Sequence, residues 1–176
     1  MRISKFYIFI LILFSFNCKN SSKETVPEVL EVSPSNSISE KDIEKLDYVD
    51  YNLSSDAQKS LQDWQKYKEL QDYVTFLKKL DFSFFNEEKT ILKTFINDFN
   101  TEMPQSIKTA PIVSRAKVLE TKLLKLNSVM RLDNMDKAVK LEAIQEFLIA
   151  LSNFNLQVNK KFELEANLVD KEKTEQ

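Results

Sequence analysis

Apolar residues recur at steps of three and four along most of this chain, and no stretch alternates strictly as a half-buried strand would. The first such repeat is short: Ser39-Glu40-Lys41-Asp42 starts a helix with Ile43, Leu46 and Val49 on one side. A long helix follows. Ser55-Asp56-Ala57-Gln58 has the form of a capping box, in which the serine oxygen meets an early amide and the glutamine reaches back. Ala57, Leu61, Trp64, Tyr67, Leu70, Val74, Leu77 and Leu80 then make one uninterrupted apolar stripe.

A second helix is predicted to open near Ser83 or Asn86, with Glu87 and Glu88 at the positive end of its dipole. Its apolar face is Phe84, Phe85, Ile91, Leu92, Phe95, Ile96 and Phe99, and it stops before Pro104, which disfavours helical geometry in the residue ahead of it. Residues 102–109 read as an irregular connection. Thr109 or Ala110 then caps a third helix that carries Pro111 in its tolerant first turn. Ile112, Ala116, Leu119, Leu123, Leu126 and Met130 alternate steps of four and three, the most regular seam in the chain.

Asp133-Asn134 breaks the chain and caps a fourth helix whose inward side is Ala138, Leu141, Ile144, Leu148, Leu151, Val158 and Phe162. Over residues 134–168 that helix would be roughly 50 Å long, so it either breaks near residues 153–155 or overhangs its neighbours and needs a partner. The pattern as a whole predicts an all-α fold: an antiparallel helical bundle of about four long helices behind a disordered N-terminal tether.

Composition narrows the chemistry. With 0 Gly, no backbone can approach a phosphate as glycine-rich loops do, so P-loop and dinucleotide fingerprints are excluded. With 0 His, histidine-based triads, the usual zinc sites and the Glu-x-x-His sites of di-metal bundles are excluded too. The balance of 25 Lys plus Arg against 27 Asp plus Glu, a net charge of -2, lacks the basic footprint of a nucleic-acid binder. Most carboxylates interleave with lysine at helix-surface spacing, as in Glu87-Glu88-Lys89, and read as a solvated face. The aromatic residues, Trp64 included, read as core. No catalytic, cofactor-binding or metal-ligating residue is expected, and the chain is not expected to be an enzyme.

The N-terminus follows a different pattern. Arg2 and Lys5 precede the apolar run of residues 6–14, and Ser15-Phe16-Asn17-Cys18 follows: a charged start, an apolar centre and a processing site, as in an export signal. The apolar stretch is roughly half of the 20 or so residues a membrane-crossing helix needs. This arrangement resembles a bacterial lipoprotein signal of the looser form, since Phe16 and Asn17 stand where the strict lipobox has small residues. The resemblance implies cleavage ahead of Cys18, a diacylglycerol on the Cys18 thiol and acylation of the new amino terminus.

On that reading residues 1–17 are a signal peptide and residues 18–38 a lipid-anchored flexible tether, holding Pro27 and Pro34 among Ser, Asn, Glu and Lys. Residues 39–170 are the helical-bundle domain and residues 171–176 a polar tail. A coil of the tether's length would hold the domain on the order of 25 Å from the lipid. Lys19-Asn20-Ser21-Ser22-Lys23 lacks the acidic residues that resemble a surface-export signal, so the expected location is the outer membrane, facing the periplasm.

After the signal, arginine occurs only at Arg115 and Arg131, both on the third helix. Arg115 lies one turn into that helix, just after Lys108 and Thr109, where free amides and a planar guanidinium suit a carboxylate or phosphate. Lys108 and Arg115 are therefore the candidate partner-binding residues; the alternatives for Arg115 are an ion pair with a neighbouring helix or a solvated charge. Residues 109–121 are similar to stretches in uncharacterised envelope lipoproteins with small helical domains, a resemblance that implies no activity.

The expected function is that of a non-enzymatic, lipid-anchored envelope protein whose bundle binds another envelope protein, as accessory subunit, regulator or inhibitor. No cofactor and no nucleic-acid partner are expected. The alternative is a helical carrier of an apolar or amphiphilic ligand. A cavity of about 300 Å3 or more, mostly apolar with a few convergent polar groups, would favour the carrier, and a solid core with an exposed apolar strip on the fourth helix would favour partner binding.

Overall fold

The seam of residues 112–130 folds as one helix with Ile112, Ala116, Leu119, Leu123, Leu126 and Met130 all buried. It is the spine of a computed structural model that describes residues 37–174, with side chains as far as Leu168. The apolar run, Cys18 and all but the end of the tether lie outside the described residues. Among the described residues seven α-helices follow in order: α1 Glu40–Glu44, α2 Ser55–Leu61, α3 Gln65–Lys78, α4 Ser83–Asn86, α5 Lys89–Thr101, α6 Ala110–Met130 and α7 Lys137–Thr174. A 3-10 turn, Gln105–Ile107, links α5 to α6, and no strand occurs among the described residues. The domain is an all-α helical bundle, with α3, α5, α6 and α7 as its four long helices.

The hairpin of α6 and α7 is the most extensive pairing. Phe147, Phe154, Ile144 and Val158 of α7 are fully buried against it and against the helices before it. Removing a leucine-sized side chain from water contributes about 2 kcal/mol each time. Lys122 and Lys125 of α6 reach Glu146 of α7 at 3.3 and 2.6 Å; such half-exposed pairs add little beside the apolar contact. Asn127 is the buried polar group of α6, and its Nδ2 donates to the carbonyls of Phe85 and Glu87 at 2.9 Å each. It thereby satisfies carbonyls left open at the end of α4.

Several expected details are corrected. The first long helix is two helices, broken at Gln62-Asp63-Trp64, and Ser54 rather than Ser55 is its N-cap, accepting from the Ala57 amide. Trp64 sits at the break with its indole buried, 4.4 Å from the ring of Phe99 and 5.5 Å from that of Tyr67. The second helix is likewise split, because Glu87 takes an extended conformation with ψ 161 between α4 and α5. Ile91 consequently turns outward and is exposed, not part of the core. Val49 and Ala138 are also exposed, since the chain leaves helical geometry after Lys45 and α7 begins only at Lys137.

The fourth helix does not break at residues 153–155. It runs unbroken for 38 residues, about 57 Å, and its far side chains, including Leu164 and Leu168, are exposed. The overhanging alternative is the one realised.

Helix α3 ends without a glycine. The Asp81 amide bonds back to the Phe76 carbonyl and the Leu80 amide to that of Leu77, both at 3.0 Å, the pattern of a Schellman cap. The left-handed position usually given to glycine is held by Leu80 at φ 67. A β-carbon there costs on the order of 1 kcal/mol, which packing of the half-buried side chain against the core offsets.

Candidate functional site

A surface groove of about 540 Å3 is formed by α3, α4 and α5. Its floor is aromatic. Tyr73 and Phe84 stack with centroids 3.7 Å apart and planes 4° from parallel, and Phe95 meets both edge-on at 5.8 and 5.0 Å. Splitting of the second helix creates this floor: α4 lays Phe84 over Tyr73, and the outward turn of α5 adds the exposed Ile91 to the wall.

The rim is charged. Glu69, Glu87 and Asp98 line it together with a single cation, Lys66. The Lys66 ammonium donates to Glu69 at 2.9 Å while lying 5.7 Å from the centre of the Phe95 ring. That hydrogen bond holds Lys66 above the usual lysine range, with burial opposing it and the Glu102 and Asp98 carboxylates adding to it. Among the described residues Glu87 and Asp98 have no ion-pair partner. The groove is thus an aromatic surface in a net negative field.

A second feature is the irregular segment of residues 46–54, a strap laid along α7. Gln145 Nε2 donates to the Asp47 carbonyl at 2.7 Å, the Ser152 hydroxyl to the Val49 carbonyl, Asn155 Nδ2 to the Tyr51 carbonyl at 2.9 Å and Asn159 Nδ2 to the Asn52 carbonyl at 2.8 Å. In return the Tyr51 amide donates to Ser152 Oγ at 2.9 Å and the Ser54 amide to Asn159 Oδ1 at 2.8 Å. The register follows from lengths: residues 47–54 in near-extended form cover about 23 Å, and residues 145–159 of a helix about 21 Å. Backbone groups that a loop would ordinarily leave to water are bonded instead to one helix face.

Beneath the strap, Asp50, Asn52, Gln71, Thr75, Lys78 and Asn155 surround a mostly polar pocket of about 220 Å3, closed on one side by the Lys78 to Asp50 ion pair at 2.8 Å. The space between α3, α5 and α6 is only about 10 Å3.

The residues singled out from the sequence fall elsewhere. Lys108 and Arg115 are both exposed, and neither lines these openings. Arg115 has no ion-pair partner among the described residues, so the internal-pair alternative is not realised there. The connection that holds Lys108 is anchored rather than loose: Met103 and Ile107 are buried plugs, and Ser106 Oγ lies 2.7 Å from Ser60 Oγ. Arg131 Nη1 donates to the Glu87 carbonyl at 3.5 Å. Cys18 lies outside the described residues.

Sequence reasoning missed both the groove and the strap. Gln145, Ser152 and Asn159 recur at steps of seven, a polar line beside the apolar one, and that was the available signal for the strap. No group of three or more His, Cys, Asp or Glu side chains placed to hold a metal occurs among the described residues, and no helix among them is long and apolar enough to cross a membrane. No family model matches the chain, and no curated protein or solved structure matches it either.

Proposed function

We propose that this chain is a lipid-anchored protein of the bacterial envelope that acts without catalysis, its helical bundle docking another envelope protein as an accessory subunit, regulator or inhibitor. The observation that carries the reading is the contrast between interior and surface. The space between α3, α5 and α6 is closed to about 10 Å3 and the pocket beneath the strap is mostly polar, so neither offers an apolar chamber to a cargo; the groove is large enough for one but is an open trough rather than an enclosed cavity. The surface, by comparison, offers an open aromatic groove and the exposed Leu164 and Leu168 on the overhang of α7. Contiguous apolar surface on a folded domain marks contact with another molecule. Lys108 and Arg115, exposed at the start of α6, are proposed as further contacts with that partner. The anchor rests on the charged start, the apolar run and Cys18.

Two measurements test it. Cys18→Ser should move the protein from the membrane to the soluble fraction while its circular dichroism stays helical; retention through an alkaline wash would place the anchor elsewhere. A photo-crosslinker introduced at Ile91, Arg115 or Leu164 in the native envelope should give discrete protein adducts. A bound amphiphile recovered at one equivalent from purified protein, with no protein adduct, would favour the carrier instead.

A further inference from the structure

Resting on that reading, we infer that the groove of Tyr73, Phe84 and Phe95 receives a lysine- or arginine-bearing segment of the partner, which seats a cationic side chain between the aromatic floor and the carboxylates of Glu87 and Asp98. Three features select this chemistry together. The rim carries three carboxylates against one ammonium, and that ammonium is already committed to Glu69 at 2.9 Å. Among the described residues Glu87 and Asp98 are thus the rim carboxylates without an ion-pair partner, and an incoming cation is the complement they lack.

The aromatic floor distinguishes a side chain from a simple ion. A guanidinium or ammonium is attracted to ring faces, and its methylene stem covers apolar surface while the charged end reaches the rim. Exposed Ile91 and half-buried Phe84 supply that apolar surface next to the acids. The groove contains its own precedent in Lys66, held against Phe95 by a carboxylate. An anionic lipid surface would be repelled by the same rim, so this face is suited to a protein rather than to the membrane. A neutral amphiphile would leave the two carboxylates without a role.

The test uses the purified full chain, isotope-labelled, and three otherwise identical peptides of about ten residues bearing arginine and lysine, glutamine, or glutamate at the same positions. The basic peptide alone should shift the resonances of Tyr73, Phe84 and Ile91, and its affinity should fall about tenfold between roughly 50 and 300 mM salt. Asp98→Asn with Glu87→Gln should weaken it about fivefold at an unchanged melting temperature, since the hydrogen bonds at Glu87 involve its backbone carbonyl. Equal binding of the glutamine peptide, or no shift at these residues at saturating basic peptide, overturns the inference. Protein adducts at Ile91 in the envelope combined with failure of the basic peptide would remove the charge preference and leave the docking function standing; absence of both would overturn the groove as a docking site, and absence of adducts at Arg115 and Leu164 as well would remove the docking function.

Discussion

Tyr67 of α3 and Asn155 of α7 meet in the interior, the phenol donating to Asn155 Oδ1 at 2.8 Å while Nδ2 of the same amide donates to the Tyr51 carbonyl at 2.9 Å. One side chain thereby joins two long helices and the strap, and Asn155 is buried in doing so. A polar group in that position is tolerable because each end of it is bonded.

Asn155→Leu should cost about 2–4 kcal/mol, because it leaves the Tyr67 hydroxyl and a carbonyl without their partner. Tyr67→Phe should cost about 1–2 kcal/mol, and the double variant less than the sum. Urea unfolding measures all three. The pair also fixes an alkaline limit. Burial pushes the Tyr67 hydroxyl above the usual phenol range, with the bond to Asn155 pulling the other way. A group whose pKa is raised by folding contributes fully below its unfolded value, about 10 for a phenol, and that contribution is lost as pH climbs through the folded value. The urea midpoint should fall above about pH 10, and fall less steeply in Tyr67→Phe.

Strap release should be separable from unfolding. In Ser152→Ala with Asn159→Ala, the amides of Tyr51 and Ser54 lose their acceptors, and their hydrogen exchange should accelerate about tenfold or more while amides of α6 keep their protection. Equal acceleration in α6 would show that strap and bundle open as one unit.

Core and overhang should respond oppositely to the same change. Leu123, 2% exposed, lies on the α6 seam, and Leu123→Asp places an unpaired carboxylate there at a cost of several kcal/mol, about the whole stability of a small domain. Leu164 is 63% exposed, and Leu164→Asp should alter the melting curve by less than about 0.5 kcal/mol while abolishing any partner contact made through the overhang.

Arg115→Ala should leave stability within about 0.5 kcal/mol, because the side chain is exposed and unpaired among the described residues. If Arg115 contributes to docking, the adducts formed from a crosslinker at Leu164 should diminish in this variant; an undiminished yield would make Arg115 a solvated charge.

The bundle was legible where one face of a helix does one thing. The α6 seam, a cap at Thr109 or Ala110, Pro111 in the first turn and a short helix starting at Ser39 follow directly from spacing. The breaks did not, because the apolar period passes through Trp64 and through residues 84–92 without a missed step. Nothing in the sequence punctuates either place with glycine or proline, and a large buried indole and an extended Glu87 decide them through tertiary packing. The groove was hidden for the same reason: Ile91 fits the buried stripe until the helix is cut. The strap was half hidden: the polar line of Gln145, Ser152 and Asn159 marks one side of it, but the backbone carbonyls it bonds carry no residue-specific signal. Arg115 and Lys108 were legible as unusual positive charges at a helix start, but their spacing contains no information about what faces them.

The strap also gives the domain a direction in which it resists being pulled. Load arriving along the chain from Ser37 passes through the 2.8 Å pair of Asp42 and Lys137 and the bonds that tie residues 47–54 to the middle of α7. Tension directed along the α7 axis toward Lys137 shears all of these bonds at once, so they share it. Tension perpendicular to that axis peels them one after another, beginning at Gln145, and each yields alone. A domain tethered at its N-terminus in this way would hold against a partner drawing it along the helix and let go of the strap when drawn across it.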